Sequence, residues 1–477
     1  MTSFEALRSV PSSAETTIVQ SKKIVMATAG SHGDIEPFAA LGQGLRAQGH
    51  TVRVSSNTFH RARFERLGFE FAGHPTSMTE ARLADILSDM GAQGPIEQLE
   101  TLMRRFFFAE GSLQLEHQRE IMSGADLVIV HWLDAIAQGA AEQLGIPWIS
   151  VILTPGSLPS ATHAPPLFGL GAMVGLGPSP HLSRWWARLW WRAADQMAEP
   201  LRVVIDKHLA DLGLRRAHQR LLAPPSPHLN LVAASPGLLN VPFDWPSTVR
   251  ITGDWPPLDA QPLDAQLAAR NASANPRLPD DLEMFLQRHP EPVVIAFGSL
   301  GMTQRPETLD LVRTVAAQTA SPIVLTAPGL DALGQDALTT NASGSTPRGL
   351  NTRDLPRNLL VTGYAPYAPL FARASCVVHH AGAGTSMLVV RAGVPSFPVP
   401  HLIDNTYWAH WLHRHGVATK PVLRRHLTAS KLREGIERAH TQPGLRAQAA
   451  ALSAVVRQED GVAYATKLIE HFLEHRA

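Results

Sequence analysis

The chain has 477 residues, enough for two large domains or about three of average size. Its 42 basic and 41 acidic side chains nearly cancel, which argues against nucleic acid as the main partner. No stretch is apolar enough to form a membrane span, and the single Cys376 excludes an internal disulfide. We therefore expect a globular, cytoplasmic enzyme.

The first predicted domain begins after a polar segment. Residues 1–22 lack the pattern of a secretion signal and are expected to form a flexible leader. The apolar run Lys23–Ala27 ends in Gly30-Ser31-His32-Gly33-Asp34, a helical pattern covers residues 37–45, and residues 52–54 alternate like a strand. Similar βα units recur at residues 126–130 and 148–151. They predict a doubly wound α/β domain over residues 23–250.

A second domain follows a Pro-rich stretch. Residues 251–290 are predicted to be a linker. The strand pattern restarts at residues 293–297 and returns at 323–325, 359–361 and 376–378, which predicts a second α/β domain over residues 291–455. A polar insertion at residues 341–345 is expected to be a mobile loop. Residues 456–477 are predicted to form a closing helix, and the two sheets to face each other across a cleft.

The strongest chemical signal is a turn after a buried strand. Residues 377–378 lead into His379-His380-Ala381-Gly382-Ala383-Gly384-Thr385, where a helix is predicted to begin. Unpaired N–H groups and small residues at such a helix start suit a diphosphate. The alternative interpretation is a tight strand-to-helix turn in which the two histidines have no functional role.

The surroundings of this turn add a family resemblance. Gly363-Tyr364-Ala365-Pro366 precedes it, and residues 393–409, including His401 and Asp404-Asn405, follow it. The ordered set resembles the donor-binding signature of family 1 glycosyltransferases, the UDP-glycosyltransferase superfamily. The resemblance covers nearly the whole chain from residue 23. It implies the GT-B fold, with two Rossmann-like domains, and transfer of a hexosyl group from a UDP- or dTDP-sugar.

The resemblance also implies roles for individual residues on the donor side. His380 and the turn around Gly382 correspond to the diphosphate site, and Asp404 corresponds to an acid that holds sugar hydroxyls. Asn405 stands where the family has Gln, which is one methylene longer. Ala381 replaces a family glycine, a change that we expect the backbone to tolerate. The donor-binding residues implied in this way are Ser299, Tyr364, His380, Gly382, Ala383, Gly384, Thr385, Asp404 and Asn405.

The first Gly-rich turn supplies the candidate base. Residues 29–38 resemble the first loop of bacterial lipid and antibiotic transferases, and Asp34 lies where plant members carry a catalytic histidine. Inversion at the sugar needs a base for the acceptor hydroxyl, and Asp34 is our candidate. Capping of the next helix is its alternative role. His131, after a middle strand, is expected to assist Asp34 or bind the acceptor, and a structural role for it stays open.

No sequence motif for a metal or a further cofactor points to another class of enzyme. The chain has no Asp-x-Asp triplet, G-x-G-x-x-G fingerprint, P-loop or H-E-x-x-H. We therefore expect a metal-independent enzyme whose nucleotide sugar is a co-substrate, without a further cofactor.

The acceptor side is unusually apolar. Residues 154–191 are rich in Gly and apolar side chains and include Trp185-Trp186 and Trp190-Trp191. Short pieces of this region resemble rhamnosyltransferases of rhamnolipid synthesis and, more distantly, sterol glucosyltransferases. We expect a hydrophobic acceptor, or a lip that contacts a membrane face, although burial in the domain core explains the tryptophans equally. The acceptor-binding candidates are His32, Phe107, Trp132, Phe168, Met173 and Trp186.

These observations predict an inverting glycosyltransferase with a small-molecule donor and a hydrophobic acceptor. Two alternatives remain at this point. A nucleotide-sugar epimerase shares the architecture but needs no apolar pocket, and a non-catalytic nucleotide-sugar-binding protein keeps the fold without turnover.

Overall fold

We analysed a computed structural model of the chain. It describes residues 20–475, except residues 92, 161–179, 216–223, 238, 240–241, 243, 259–276, 299–304, 328–354 and 364. The loop predicted at residues 341–345 lies outside the described residues, as do the site candidates Phe168, Met173, Ser299 and Tyr364.

The first sheet has seven parallel strands in the order β3-β2-β1-β4-β5-β6-β7. Its strands alternate their apolar side chains between two buried faces, as Ile24 and Met26 pack in one core cluster while Val25 and Ala27 pack in the other. Helices therefore cover both faces, as a parallel sheet requires. The strands are β1 Lys23–Ala27, β2 Thr51–Ser56, β3 Glu70–Gly73, β4 Leu127–His131, β5 Trp148–Ile152, β6 Leu229–Val232 and β7 Val249–Ile251.

The helices of this half connect successive strands. The π-helical segment Met103–Phe107 joins two of them, and short 3₁₀ turns lie at Thr58–His60 and Pro155–Ser157. The helices are α1 His32–Ala47, α2 Arg61–Arg66, α3 Glu80–Met90, α4 Pro95–Leu102, α5 Gly111–Met122, α6 Ala135–Gln143, α7 Pro180–Met197 and α8 Glu199–Asp211.

The second sheet has five parallel strands in the order β10-β9-β8-β11-β12. The strands are β8 Val293–Ala296, β9 Ile323–Thr326, β10 Leu359–Thr362, β11 Cys376–His379 and β12 Ser396–Pro398. The helices are α9 Asp280–Arg288, α10 Arg305–Ala317, α11 Tyr367–Phe371, α12 Ala383–Ala392, α13 Ile403–Arg414, α14 Ala429–Thr441, α15 Leu445–Val456 and α16 Gly461–Glu474, with a 3₁₀ turn at Arg424–His426.

Helix α9 falls inside the segment predicted as a linker. Its Leu282, Phe285 and Leu286 pack into a core cluster of the second sheet. The three apolar positions lie three and four residues apart, which is a helical spacing, but the Pro-rich sequence before them obscured it. The second α/β unit therefore begins about ten residues earlier than we predicted.

Helix α16 returns from the second half to the first. Its Ala465, Ile469 and Leu473 pack in the core cluster that also contains the apolar side chains of α1. The crossing is tight, because a Cβ at Gly461 would lie 2.4 Å from the Asp254 carbonyl oxygen. Beside it, Arg391 Nη1 donates to Asp254 Oδ2 at 3.2 Å, so the two halves are also joined by a buried ion pair.

Two parallel sheets with helices on both faces confirm the predicted α/β class. In each sheet the order of strands reverses between a central pair, β1/β4 and β8/β11, and ligands of such sheets bind at the carboxyl ends of these strands. Among the described helices, none is long and apolar enough to cross a membrane.

Candidate active site

One cavity of about 450 Å³ lies at both reversal points. Its lining brings together predicted residues from the two halves of the chain. These are His32, Asp34, Phe107, His131 and Trp132 from the first half, and His380, Gly382, Ala383, Gly384, Thr385, Asp404 and Asn405 from the second. The volume suits a drug-sized ligand.

Asp34 is the third residue of α1 and caps that helix. Its Oδ2 accepts hydrogen bonds from the Ser31 amide at 2.7 Å and the Ser31 hydroxyl at 3.0 Å. These bonds leave Oδ1 to face the cavity, where it lies 3.8 Å from His131 Nε2. Capping and availability for catalysis are therefore not exclusive, since each uses a different oxygen of the same carboxylate.

Sheet register explains why Asp34 and His131 meet. Strands β1 and β4 are parallel neighbours, with Ala27 paired to Val130. His131 is the last residue of β4, and Asp34 lies in the first turn of the helix that follows β1. His131 is only 3% exposed and burial lowers its pKa, against the opposing effect of the Asp34 charge. The imidazole is therefore neutral at pH 7.

The tautomer of His131 is set by a backbone amide two residues further along the chain. The Leu133 amide donates to His131 Nδ1 at 3.4 Å, which assigns the ring proton to Nε2, on the side of Asp34. Phe107 lies parallel to the imidazole, with ring centroids 6.2 Å apart. The π-helical segment brings Phe107 to this position, and such segments occur frequently at functional sites.

The loop before Asp34 is held by two residues that the sequence did not single out. The Gly30 amide donates to Asn57 Oδ1 at 3.3 Å, and the Gly30 carbonyl lies 3.0 Å from His60 Nε2. Both partners follow β2, and a polar residue after a buried strand is the signal that would have found them. His32 begins α1, is exposed, and packs edge-to-face on His60 at 5.4 Å.

The second turn presents His380 beside a helix start. Burial lowers the pKa of His380 to about 4, with the Ala296 carbonyl opposing this shift. The ring is therefore neutral at pH 7, with one N–H donor and one acceptor nitrogen. Gly382 precedes α12, so the first amides of that helix, from Ala383 to Thr385, face the same cavity. Helix start and imidazole together suit an anionic group.

Ala381 differs from our expectation. Its φ is +63°, in the left-handed region that favours glycine, and its side chain is fully buried. We expected an unstrained backbone to tolerate the alanine, but the structure holds Ala381 in a left-handed conformation that strains a non-glycine residue.

Asp404 and Asn405 lie in the first turn of α13 and line the cavity. Asn405 Nδ2 donates to Asp404 Oδ2 at 3.1 Å, while Asn405 Oδ1 accepts from the Leu402 amide at 3.1 Å. Asn405 therefore orients Asp404 and caps the helix. Asp404 is exposed in the cavity, and the partial loss of solvent around it, followed by the nearby Asp34 charge, raises its pKa to about 6. The two carboxylates thus interact across the cleft.

Of the six acceptor candidates, Phe168 and Met173 lie outside the described residues, and His32 lines the cavity. Phe107 and Trp132 lie in the cavity wall. Trp186 lies outside it and is 41% exposed on α7, so the structure does not support the prediction that it lines the pocket. Helical periodicity places a residue on a face, but it does not say which face meets the cavity.

Two doubly wound sheets that share one cleft, with the Asp34 carboxylate on one side and the turn from His380 to Thr385 on the other, are the arrangement of the GT-B fold, which is a fold of glycosyltransferases. Ligands of open parallel sheets bind at such a switch point, and this cavity lies at the switch points of both sheets. The solved glycosyltransferase of kitacinnamycin has the same fold, at a TM-score of 0.61 and 18% identity, over 95% of this chain and 99% of that one.

Sequence comparisons agree with this class. Residues 24–158 match the glycosyltransferase family 28 N-terminal domain, and residues 343–460 match the erythromycin biosynthesis protein CIII-like C-terminal domain. The O-mycaminosyltylonolide 6-deoxyallosyltransferase of Streptomyces fradiae is 30% identical, over 95% of this chain and 98% of its own length. A sterol 3-beta-glucosyltransferase of Arabidopsis thaliana is 25% identical, over 94% and 68%. The chain belongs to the family 1 glycosyltransferases, of the natural-product or sterol type.

Proposed function

We propose that the protein is an inverting, metal-independent transferase that moves a hexosyl group from a nucleoside-diphosphate sugar to a hydroxyl of a hydrophobic acceptor. The observation that supports this most is the shared cavity: Asp34 Oδ1 and the turn from His380 to Thr385 face the same space from opposite domains. A base and a leaving-group site on opposite sides are what inverting displacement needs.

In the proposed reaction, the acceptor oxygen attacks the anomeric carbon while its proton passes to Asp34 Oδ1. The bond from that carbon to the diphosphate oxygen breaks, and its electron pair leaves with the diphosphate. The amides at the start of α12 and the neutral His380 stabilise this charge as hydrogen-bond donors. Asp404, oriented by Asn405, binds a hydroxyl of the transferred sugar.

Thymidine nucleotides are our first choice of donor. A structural neighbour, glycosyltransferase SsfS6 of Streptomyces sp. SF2575, was solved in complex with thymidine diphosphate, at a TM-score of 0.56 and 17% identity. The named relatives act on a tylonolide derivative and on sterols, which favours a polycyclic or macrocyclic alcohol as acceptor. The apolar cavity wall agrees with that choice.

The test combines donors, acceptors and one variant. We expect the purified protein to transfer sugar from a dTDP- or UDP-hexose to a steroid or macrolide alcohol, with inverted anomeric configuration and no loss in EDTA. Asp34→Asn keeps an oxygen for the Ser31 bonds but lacks the base, so kcat should fall by about 100-fold or more while nucleotide affinity persists. Full turnover in that variant would exclude Asp34 as the base.

We also propose a peripheral membrane contact through α7. Trp185 and Trp186 are 59% and 41% exposed, and the exposed Leu189, Arg188 and Arg192 lie beside them in the sequence. Tryptophan favours the bilayer interface and arginine the anionic headgroup. Cosedimentation with phosphatidylcholine vesicles containing phosphatidylglycerol should be lost in W185S/W186S and kept in V455S, an exposed apolar site on α15. Equal binding by both variants, or self-association instead, would refute this contact.

A further inference from the structure

The helical wall of the cavity is apolar except for the exposed Glu80 at its edge and one buried polar residue. Helices α3 and α4 and the π-helical segment contribute the apolar side chains Leu83, Leu87, Met90, Leu99, Leu102 and Met103. Gln98, on α4, lines the same wall and is only 6% exposed. A buried amide in such surroundings must place four hydrogen-bonding positions, two donors and two acceptors, in a region that offers few partners.

Half of the Gln98 amide is satisfied by its own neighbourhood. Nε2 donates to the Met90 carbonyl at 2.9 Å and to the Gln93 carbonyl at 3.2 Å. Both partners are acceptors only, so they fix the nitrogen on their side and the oxygen on the other. Oε1 is buried and has no hydrogen-bond partner among the described residues. A structural role, in which Gln98 holds residues 90–93 in place, accounts for the two hydrogen bonds of Nε2. It does not account for the buried Oε1 without a partner.

An unpaired buried oxygen costs the free protein free energy, and a ligand that donates to it recovers that loss. We propose that Gln98 is a specificity residue for the acceptor. Its Oε1 accepts a hydrogen bond from a hydroxyl or N–H that an otherwise apolar acceptor carries in addition to the hydroxyl that receives the sugar. This inference rests on the proposed function, and it adds a second polar hydrogen to the chemistry of the acceptor.

The inference predicts discrimination between closely matched ligands. A site with one buried acceptor rejects an analogue that presents an oxygen lone pair there instead of a hydrogen. A suitable pair is a saturated steroid with a hydroxyl at each end of its four-ring skeleton and the same steroid with one hydroxyl oxidised to a ketone. We expect calorimetry to show that the wild-type protein binds the diol at least about tenfold more tightly.

Gln118 offers a matched control for the variant. It lies on α5, is 1% exposed, and also has a buried Oε1 without a partner, but it does not line the cavity. Gln98→Met should bind both steroids with about equal affinity, whereas Gln118→Met should keep the wild-type preference. Both variants lose a side-chain amide from a buried position, so a general loss of stability should affect both, and only a specific role of Gln98 should change the ligand preference.

Three results would overturn the inference: equal wild-type affinity for the two steroids, an unchanged preference in Gln98→Met, or loss of both ligands from that variant, which would show that Gln98 only shapes the wall. Sugar transfer is measured separately on the same steroids. Transfer to both without preference would refute this inference alone. Preferential binding of the diol without transfer would refute the proposed function and keep Gln98 as the determinant of binding.

Discussion

His131 Nε2 lies 3.8 Å from Asp34 Oδ1, and the Leu133 amide at Nδ1 assigns the ring proton to the side of the carboxylate. The separation is longer than a hydrogen bond, so in the free protein the imidazole N–H faces the carboxylate without bonding to it.

The first prediction separates the roles left open for His131. His131→Phe keeps a planar ring beside Phe107 but removes both nitrogens. If His131 positions Asp34, kcat should fall by about 10- to 100-fold with little change in the acceptor KM. Steady-state kinetics on the folded variant measure both. A raised KM at unchanged kcat would assign His131 to acceptor binding, and an unchanged kcat/KM would leave it a structural role.

The second prediction concerns the loop that carries the base. Gly30 has φ of +130°, and a Cβ there would lie 2.4 Å from Asp34 Oδ2. Gly30→Ala should therefore displace the carboxylate and lower kcat by about 100-fold, since a misplacement of about 1 Å costs that much. Gly33→Ala is the control, because its Cβ would meet only Ser31 Oγ, at 3.6 Å. Similar kcat values for the two variants would contradict this reading of the loop.

Much of this site could be predicted from the sequence, because its residues follow buried strands. The apolar runs that become β1, β4, β8 and β11 are continuous, and parallel neighbours bring the residues after them together. Phe107 was predicted for the acceptor side only from its apolar surroundings, and Gln98 was not predicted at all. They lie on helices between strands, where the direction of a side chain depends on how α4 packs and on the π-helical segment. The sequence therefore carries no local signal for the position of the Gln98 side chain or for the π-helical turn.

The backbone conformation of Ala381 could not be predicted from the sequence either, and it leads to the third prediction. The residue occupies a left-handed backbone at φ +63°, which costs a non-glycine residue roughly 1 kcal/mol. Ala381→Gly should therefore raise the free energy of unfolding by about 0.5–1 kcal/mol in urea titrations. Ala383→Gly, in the first turn of α12, should not stabilise the protein. Destabilisation by Ala381→Gly would show that burial of its methyl group outweighs the strain.

The fourth prediction tests how His380 is seated. A Cβ at Gly382 would lie 2.4 Å from His380 Nε2, whereas a Cβ at Gly384 meets nothing within 4 Å. Without ligand, Gly382→Ala should lower the free energy of unfolding by about 1–3 kcal/mol, as overpacking does, and Gly384→Ala should leave it equal or higher. Thermal unfolding compares them. Loss of nucleotide affinity in a fully stable Gly384→Ala protein would additionally place the diphosphate against α12. Equal stability of the two variants would contradict the packing of His380 against Gly382.

The last prediction uses two buried groups whose pKa values shift in opposite directions. Burial lowers the pKa of His74 to about 3 and raises that of Asp134 to about 6. Between pH 6 and 4 the unfolded chain binds a proton at His74 that the folded protein does not, so acidification lowers stability there by about 1.4 kcal/mol per pH unit. Asp134 is the reverse, because the folded protein binds its proton first and gains stability as pH falls through that window.

Removing each group should therefore change the pH slope with opposite sign. His74→Asn should flatten the fall in stability on acidification, and Asp134→Asn, whose amide oxygen still caps α6 through the Ala137 amide, should steepen it. Urea unfolding at pH 6 and pH 4.5 gives the two slopes relative to wild type. Because every other titrating group is common to the three proteins, parallel slopes would mean that neither pKa differs between the folded and unfolded states.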